Sequence, residues 1–417
     1  MILLSDELPL RRTSDMPVWF DDAPLPWVYG RVTISPVCIS QDRTEWLIAD
    51  HPISGVSSVA IGNEPCSGWQ HLNRLDETGH SIAVLRLSQP AKEGSTPSVS
   101  VSGALDARSG TLIEHPAAIA RDILTRCGRD CPADAFLGLQ DALPEASCGL
   151  SVTDGTLREV LAKLFDPFSV LWNASNARAV YIDANRPPVL ELTPFSAAQA
   201  QAVTALDDVA THAHVLFDCD YSTGQCRQSL SIVAPESAAQ YGTRTVTYEY
   251  PHIHRAALAL ELAQARLSRE AAPVWQVEAK VDHPAAAYMT FGDVLQLLHP
   301  HLPVGNAVIE SITHQNNQTA SIRAICWQPA QVMLARHSQS ATANASRPSY
   351  VYKDGIATLI ILDDAGSPIA HAMVMLDNLT GARTNAQGEV SFKTPRGPHT
   401  LTVYADGYEP FEMDVTL

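Results

Sequence analysis

Histidines and acids are the residues of this chain whose types and spacing could do chemistry. His212 and His214, His252 and His254, and His299 and His301 are each spaced His-x-His. On a strand such a pair projects from one face, the arrangement in which two imidazoles can ligate zinc. The segments around the last two pairs, PHIH and HPHLP, lie beside prolines, where turns leave such rings solvated, so solvated rings are the plainer expectation. Asp183, Asp218 and Asp220 are acids of the kind a glycosidase uses in pairs. Carboxylates are common in an acidic chain, however, and no aromatic-lined cleft is marked near them. HExxH, Gly-x-Ser-x-Gly, P-loop and GxGxxG patterns are missing. The expectation is therefore no catalytic, cofactor-binding or metal-ligating residues and no enzyme.

Eight cysteines in 417 residues are too few and too irregular for a disulfide scaffold. Cys127 with Cys131 and Cys219 with Cys226 are the only close pairs. Isolated thiols are the plain reading; the alternatives are disulfides formed outside the reducing cytosol, and a metal or iron–sulfur site gathering Cys127, Cys131 and Cys148. Near the C-terminus Asp363, Asp364, Asp377 and Asp406 fall at turns, where they suit either calcium or solvent. The seven tryptophans are dispersed and mostly sit in strand runs, which fits core or interface better than sugar platforms.

A hydrophobic fraction of 46% with 18% charged residues describes a folded chain, and its length suggests two to four domains. The net charge of −17 argues against a general binder of nucleic acid or anionic membrane, because phosphate contacts need clustered Lys and Arg. No apolar run approaches the roughly 18–20 residues of a membrane span, and MILLSDELPLRR does not read as a signal peptide. Synthesis in the cytosol follows as an expectation.

Pro9, Pro17, Pro24 and Pro26 among polar residues in the opening thirty positions mark 1–24 as an extended arm. Alternating or apolar strands at 27–34, 45–49, 57–61 and 81–87 make 25–111 a small β-barrel or sandwich, taken as a first β-barrel domain. HPAAIARDILTRCG and DGTLREVLAKLFDPF have apolar residues on one helical face, with Asp154 a plausible N-cap, and SVLWNASNARAVYID reads as a hairpin. Together they make 112–193 an α+β domain. Strands around a helix at about 253–270, with turns at Gly305-Asn306 and Asn316-Asn317, make 194–335 a second β-barrel domain, broken by the polar stretch SAAQAQAVTALDD. A polar linker, 336–349, precedes 350–417, whose short strands and regular turn signals predict a β-sandwich. The fold class is mainly β with an α+β insertion.

The pattern DDAGSPIAHAMVML, TNAQGEVSF and HTLTVYADGYEP resembles carboxypeptidase-regulatory-like and transthyretin-like immunoglobulin-type modules. In the body, the order of PLPWVYGRV, WLIADHPISGVSSVAIGN, IEHPAAIARDILTRCG, TLREVLAKLFDPFSVLWNASNARAVYI, AQARLSREAAPVWQVEAKV and MTFGDVLQLLHPHLPVGNAVIESI resembles tail-tip baseplate hub proteins of siphophages and gene-transfer agents over residues 20 to 330. That resemblance implies a homotrimer in which two hub-type barrels per subunit make a pseudo-sixfold ring. The ring would join the sixfold tail tube to a threefold tip in the virion and let DNA pass unbound. Implied neighbours are the distal tail protein, the tape-measure protein and tail-tip or fibre proteins, with the last module binding fibre, tip protein or host surface. A cell-wall hydrolase and a carbohydrate-binding adhesin are the rival expectations.

Overall fold

The computed structural model describes residues 7–13, 23–62, 64–92, 94–129, 131, 135–173, 178–316, 318–339, 349–353, 355–362, 368–377, 380–405 and 411–416. Strands predominate, arranged in sheets of two to six, and helices gather in the middle of the chain. Among the described residues no helix is long and apolar enough to cross a membrane.

The first unit is a sandwich of two four-stranded sheets. Arg31–Ile34, Pro97–Ala104, Ile53–Ile61 and Glu64–Pro65 form one, and Val37–Cys38, Glu45–Ala49, Ser81–Leu87 and Trp69–Leu75 the other. Period-two alternation along Pro97–Ala104 turns Val99 and Val101 inward against Ile34, Trp46, Ile48 and Leu85. Trp27–Tyr29 leaves this unit to pair with Leu150–Val152, and the Tyr29 hydroxyl donates to Asp122 at 2.8 Å, so the sandwich is stitched to the helices. The intervening Gly30 is obligatory: its φ is +57°, and a Cβ there would collide with the Cys148 carbonyl. The described part of the arm is anchored rather than loose. Leu8 joins the central core, and Arg11 bonds Asp50 at 2.9 Å and Asp76 at 2.6 Å.

The largest core lies in the middle. Helix Pro116–Arg126 starts with its proline in the first turn, tolerated because that N–H has no helical partner, and Gly128 follows with φ +65°. Helix Leu157–Phe165 is capped by Thr156, not Asp154. Thr156 and Glu159 exchange side-chain-to-backbone bonds in a capping box, which satisfies two otherwise orphaned amides. Against these helices stands a four-stranded sheet, ordered Thr245–Tyr250, His212–Asp220, Gln225–Val233 and Met333–Gln339. Helix Ala256–Glu270 shares the same core, with Leu258, Leu260, Leu262 and Leu267 buried. A disulfide joins Cys219 to Cys226, which face each other across the hairpin, while Cys127, Cys131 and Cys148 keep their thiols.

The strands of 194–335 therefore divide between two cores instead of forming one barrel. Those at 212–250 and 333–339 belong to the helical core. The others form a six-stranded sheet, ordered Leu190–Leu192, Val294–Leu297, Gly305–His314, Thr319–Cys326, Trp275–Asp282 and Gln199–Thr204. Its two edge strands are consecutive in sequence. A flat six-stranded sheet would part them by about 24 Å. The six-residue link 193–198, folded into a turn by Ser196 and Ala197 N–H bonds to the Thr193 carbonyl, cannot reach that far. The sheet must curl on itself around Val277, Val281, Leu295, Ile309 and Ile322. The polar stretch taken for a break is its edge strand, where alternate exposure suits glutamine and alanine. Gly305-Asn306 begins a strand rather than making a turn.

The terminal module is a sandwich of three strands, Ser349–Lys353, Ile356–Ile360 and Glu389–Lys393, on four, Thr380–Arg383, Met373–Leu376, Pro398–Tyr404 and Phe411–Thr416. Val374, Leu376, Leu401 and Val403 point into its own core. On the opposite face of the same strands Met375 and Tyr404 are buried in the central core. Arg383 reaches Glu261 of helix Ala256–Glu270 at 2.6 Å.

Candidate functional site

The histidine pairs separate. His252 is only 1% exposed, not solvated, and its Nε2 lies 3.1 Å from the Leu164 carbonyl. Burial, and then the neighbouring His254, push its pKa down to about 4. His254 turns the other way and donates Nδ1–H to Asp218 at 2.7 Å, while its Nε2 is buried without a hydrogen-bond partner. Burial alone would raise the Asp218 pKa, but the bond from His254 and its charge bring it below the usual carboxylate value. His212 and His214 are half-buried and bond Thr211 and Ser231, which are hydroxyl rather than metal partners. His299 is buried and His301 exposed, their ring centroids 5.4 Å apart.

The acids are likewise engaged locally. Asp220 accepts from the Ser222 amide and hydroxyl and from Arg227 at 2.7 Å, and Asp183 accepts from the Asn185 amide. Asp218 and Asp220 sit at the end of one strand, while Asp183 follows the hairpin strand Arg178–Tyr181 of another sheet. Asp377 accepts from His399 Nδ1 at 2.6 Å and from the Thr400 amide at 2.8 Å. Asp363, Asp364 and Asp406 lie outside the described residues. Among the described residues no group of three or more His, Cys, Asp or Glu could hold a metal ion. Burial raises the Cys127 thiol to about 11 and keeps the buried Cys148 thiol protonated, the opposite of what a thiolate ligand needs.

Sequence reasoning missed His51. It is buried, accepts from the Val28 amide at Nε2 and contacts the Pro52 carbonyl through Nδ1, both at 2.9 Å, which defines a neutral ring with its proton on Nδ1. Burial, then the charge of Arg126, lowers its pKa to about 4.

Two surfaces of the curled sheet are the larger features. One is a groove of about 990 Å3 lined by Gln201, Glu278, Lys280, His299, His301 and Arg323. Glu278 accepts from Gln201 at 3.0 Å and from Arg323 at 2.9 Å. The other is a corner. Leu192 pairs with Leu297 and Leu297 with Gly305, so three strands end side by side there. From those ends leave Phe195, 97% exposed, Leu298, and Val304, 84% exposed. Singly exposed apolar residues are ordinary, but three from adjacent strand ends make an apolar corner of the kind that contacts another protein. Only Pro194-Phe195 in a polar stretch hinted at it in the sequence.

Residues 358–417 match the family model of the carboxypeptidase regulatory-like domain. No curated protein matches the sequence. Among solved structures the chain is similar to the tail protein from Neisseria meningitidis MC58, with 11% identity and a TM-score of 0.35 over 74% of this chain and 94% of that one. It is similar also to the prophage MuSo2 43 kDa tail protein from Shewanella oneidensis, with 11% identity and a TM-score of 0.35 over 73% and 98% of the two chains. A third is the prophage tail protein gp18 from Listeria monocytogenes EGD-e, with 11% identity and a TM-score of 0.31 over 73% and 95%.

Proposed function

We propose that this chain is a structural, non-enzymatic protein of a phage tail tip. It would act as a baseplate hub whose copies close into a trimeric ring between the sixfold tail tube and a threefold tip. The observation that carries the reading is the apolar corner of the curled sheet, Phe195, Leu298 and Val304. A rotational ring needs heterologous contacts, in which one surface of each subunit meets a different surface of the next. Burying three large apolar side chains there contributes on the order of 5 kcal/mol per contact before the cost of association. The net charge of −17 suits a conduit that repels passing DNA. In this reading the distal tail and tape-measure proteins are neighbours, and the outer surface of the terminal module is left for fibre, tip protein or host.

Light scattering on the purified chain, with negative-stain images, tests the proposal. A mass three times that of the 45.0 kDa chain and a ring outline are expected, with Phe195→Ser plus Val304→Ser reverting the mass to one chain. A trimer indifferent to those substitutions would remove the corner from the contact, and a wild-type monomer at high concentration would speak against the ring.

A further inference from the structure

The strands over the central helices are interrupted. Edge strand Thr245–Tyr250 of the four-stranded sheet, and the two-stranded ladder of Trp27–Tyr29 with Leu150–Val152, share one core, into which Tyr248, Tyr250, Leu150 and Val152 all turn. At one end the two edges touch, where the Gly149 amide donates to the His252 carbonyl at 2.8 Å. Beyond that bond they part around a cleft of about 660 Å3. Residues 150–154 form one wall and 247–249 with Pro251 the other, while Val160, Lys163 and Arg266 lie on the floor.

Both walls present unpaired backbone. Along a strand, successive residues direct their N–H and C=O to opposite edges. The His212 amide donates to the Arg244 carbonyl, and His212 lies opposite Thr245. Val246, Tyr248 and Tyr250 therefore carry the ladder with His212–Asp220, and Thr247 and Glu249 direct their backbone groups into the cleft. Facing them is Ser151. Its opposite number, Val28, gives its amide to His51 at 2.9 Å, so Val28 and Ser151 form a pair without mutual bonds. Ser151, like Gly149 two residues before it, thus turns its N–H and C=O away from Trp27–Tyr29. Among the described residues no backbone group pairs with Ser151, Thr247 or Glu249 across the cleft.

From these two edges we infer a docking site: the cleft takes an extended segment of another protein, which adds itself as a strand between them. Side chains alternate across a strand, so those turned inward would rest on Val160 and on the Tyr248 ring, which Arg266 covers at 4.3 Å. Apolar residues suit those positions. Side chains turned outward meet Asp154 and Glu249, both exposed and neither in an ion pair among the described residues. Of the cations at the cleft, Arg266 is held by Asp166 and Glu270, each at 3.0 Å, and Lys163 stands one turn after Glu159 on its helix. The outward positions therefore favour Lys or Arg. No two Lys or Arg stand two residues apart in this sequence, so a second copy of the chain offers no such segment. The occupant is a different protein's segment in which apolar and basic residues alternate. The site stands without the tail reading.

Calorimetric titration of the full chain with the capped heptapeptide Thr-Lys-Val-Lys-Val-Lys-Thr, at physiological ionic strength, tests the inference. Two companion peptides separate backbone pairing from charge. Methylation of the lysine backbone nitrogens keeps the charge and removes the bonds to one wall, and glutamate in place of lysine keeps the backbone and reverses the charge. The lysine peptide should bind, and each companion about tenfold more weakly or worse. Thr247→Pro removes an outward N–H and no ladder bond, a change that edge strands tolerate, and should weaken the lysine peptide about fivefold. Glu249→Lys, at an exposed position, should weaken it about tenfold and strengthen the glutamate peptide. Exchange of the Ser151 amide should slow when the lysine peptide is bound. No binding at millimolar peptide, equal binding of the methylated peptide, or an affinity unchanged by Glu249→Lys would overturn the site, and this last result stands even if Thr247→Pro fails to fold.

Discussion

The terminal module and the curled six-stranded sheet each carry large apolar side chains outside their own cores and dispose of them differently. The module turns Met375 and Tyr404 away from its sandwich and buries both in the central core of the same chain. The curled sheet leaves Phe195, Leu298 and Val304 in solvent. A sheet with two apolar faces needs a cover for each. The module finds its second cover within the chain, so it is packed on the body. The sheet's corner has no such cover among the described residues, which is why it is the better candidate for contact with another subunit.

Four outcomes would break or sharpen that contrast. Tyr404→Ala removes a buried aromatic from the seam and should cost about 3 kcal/mol, read as a lowered unfolding transition and faster proteolytic release of the module. An unchanged cleavage rate would mean that the module does not depend on the seam.

Acidification should loosen inward-facing seams next. His51 and His252 have pKa values near 4 in the folded chain, below the ordinary value near 6.5. Between those values the unfolded chain binds more protons than the folded one, so stability is full above about pH 6.5 and falls as pH drops toward 4. The loss should reach about 2 kcal/mol per ring at pH 5. Urea unfolding at pH 7 and pH 5 checks it. His51→Gln should flatten the dependence even though it lowers stability at pH 7, and an undiminished slope would exclude His51 as a source.

Arg383→Ala should cost under about 1 kcal/mol, because Glu261 is well exposed and solvent screens the pair. A larger loss would make the seam electrostatic rather than apolar. Phe195→Ser should shift stability least, within about 0.5 kcal/mol. A marked destabilisation by that change would show Phe195 supporting its own fold and end the contrast.

Much of the architecture was legible locally. Period-two runs marked the strands of the first sandwich, and one-sided apolar spacing marked two of the three α-helices of the 112–193 region, the short Leu137–Ala142 escaping it. The pattern of 350–417 announced a sandwich, whose residues 358–417 match the regulatory-like model. Where reading failed, a longer-range contact decided. Thr156 displaced Asp154 as the cap because Glu159 lay three residues on to complete the exchange. Gln199–Thr204 became a strand because Trp275–Asp282 was available to pair with it, although its own composition is a poor strand former. PHIH looked solvated beside its proline, yet His252 fills a slot beneath helix Leu157–Phe165.

By itself the sequence determined the β-rich class, the acidic surface, the positions of the three longest helices and the existence of a separate terminal sandwich, because alternation, turn chemistry and charge act over a few residues. Only the tertiary structure decided which sheet each strand of 194–335 would join, which histidines would lose their water, and that Met375 and Tyr404 would be covered while Phe195 and Val304 were not. Those outcomes depend on surfaces meeting across more than a hundred residues of chain, and no local pattern encodes which apolar face finds a partner.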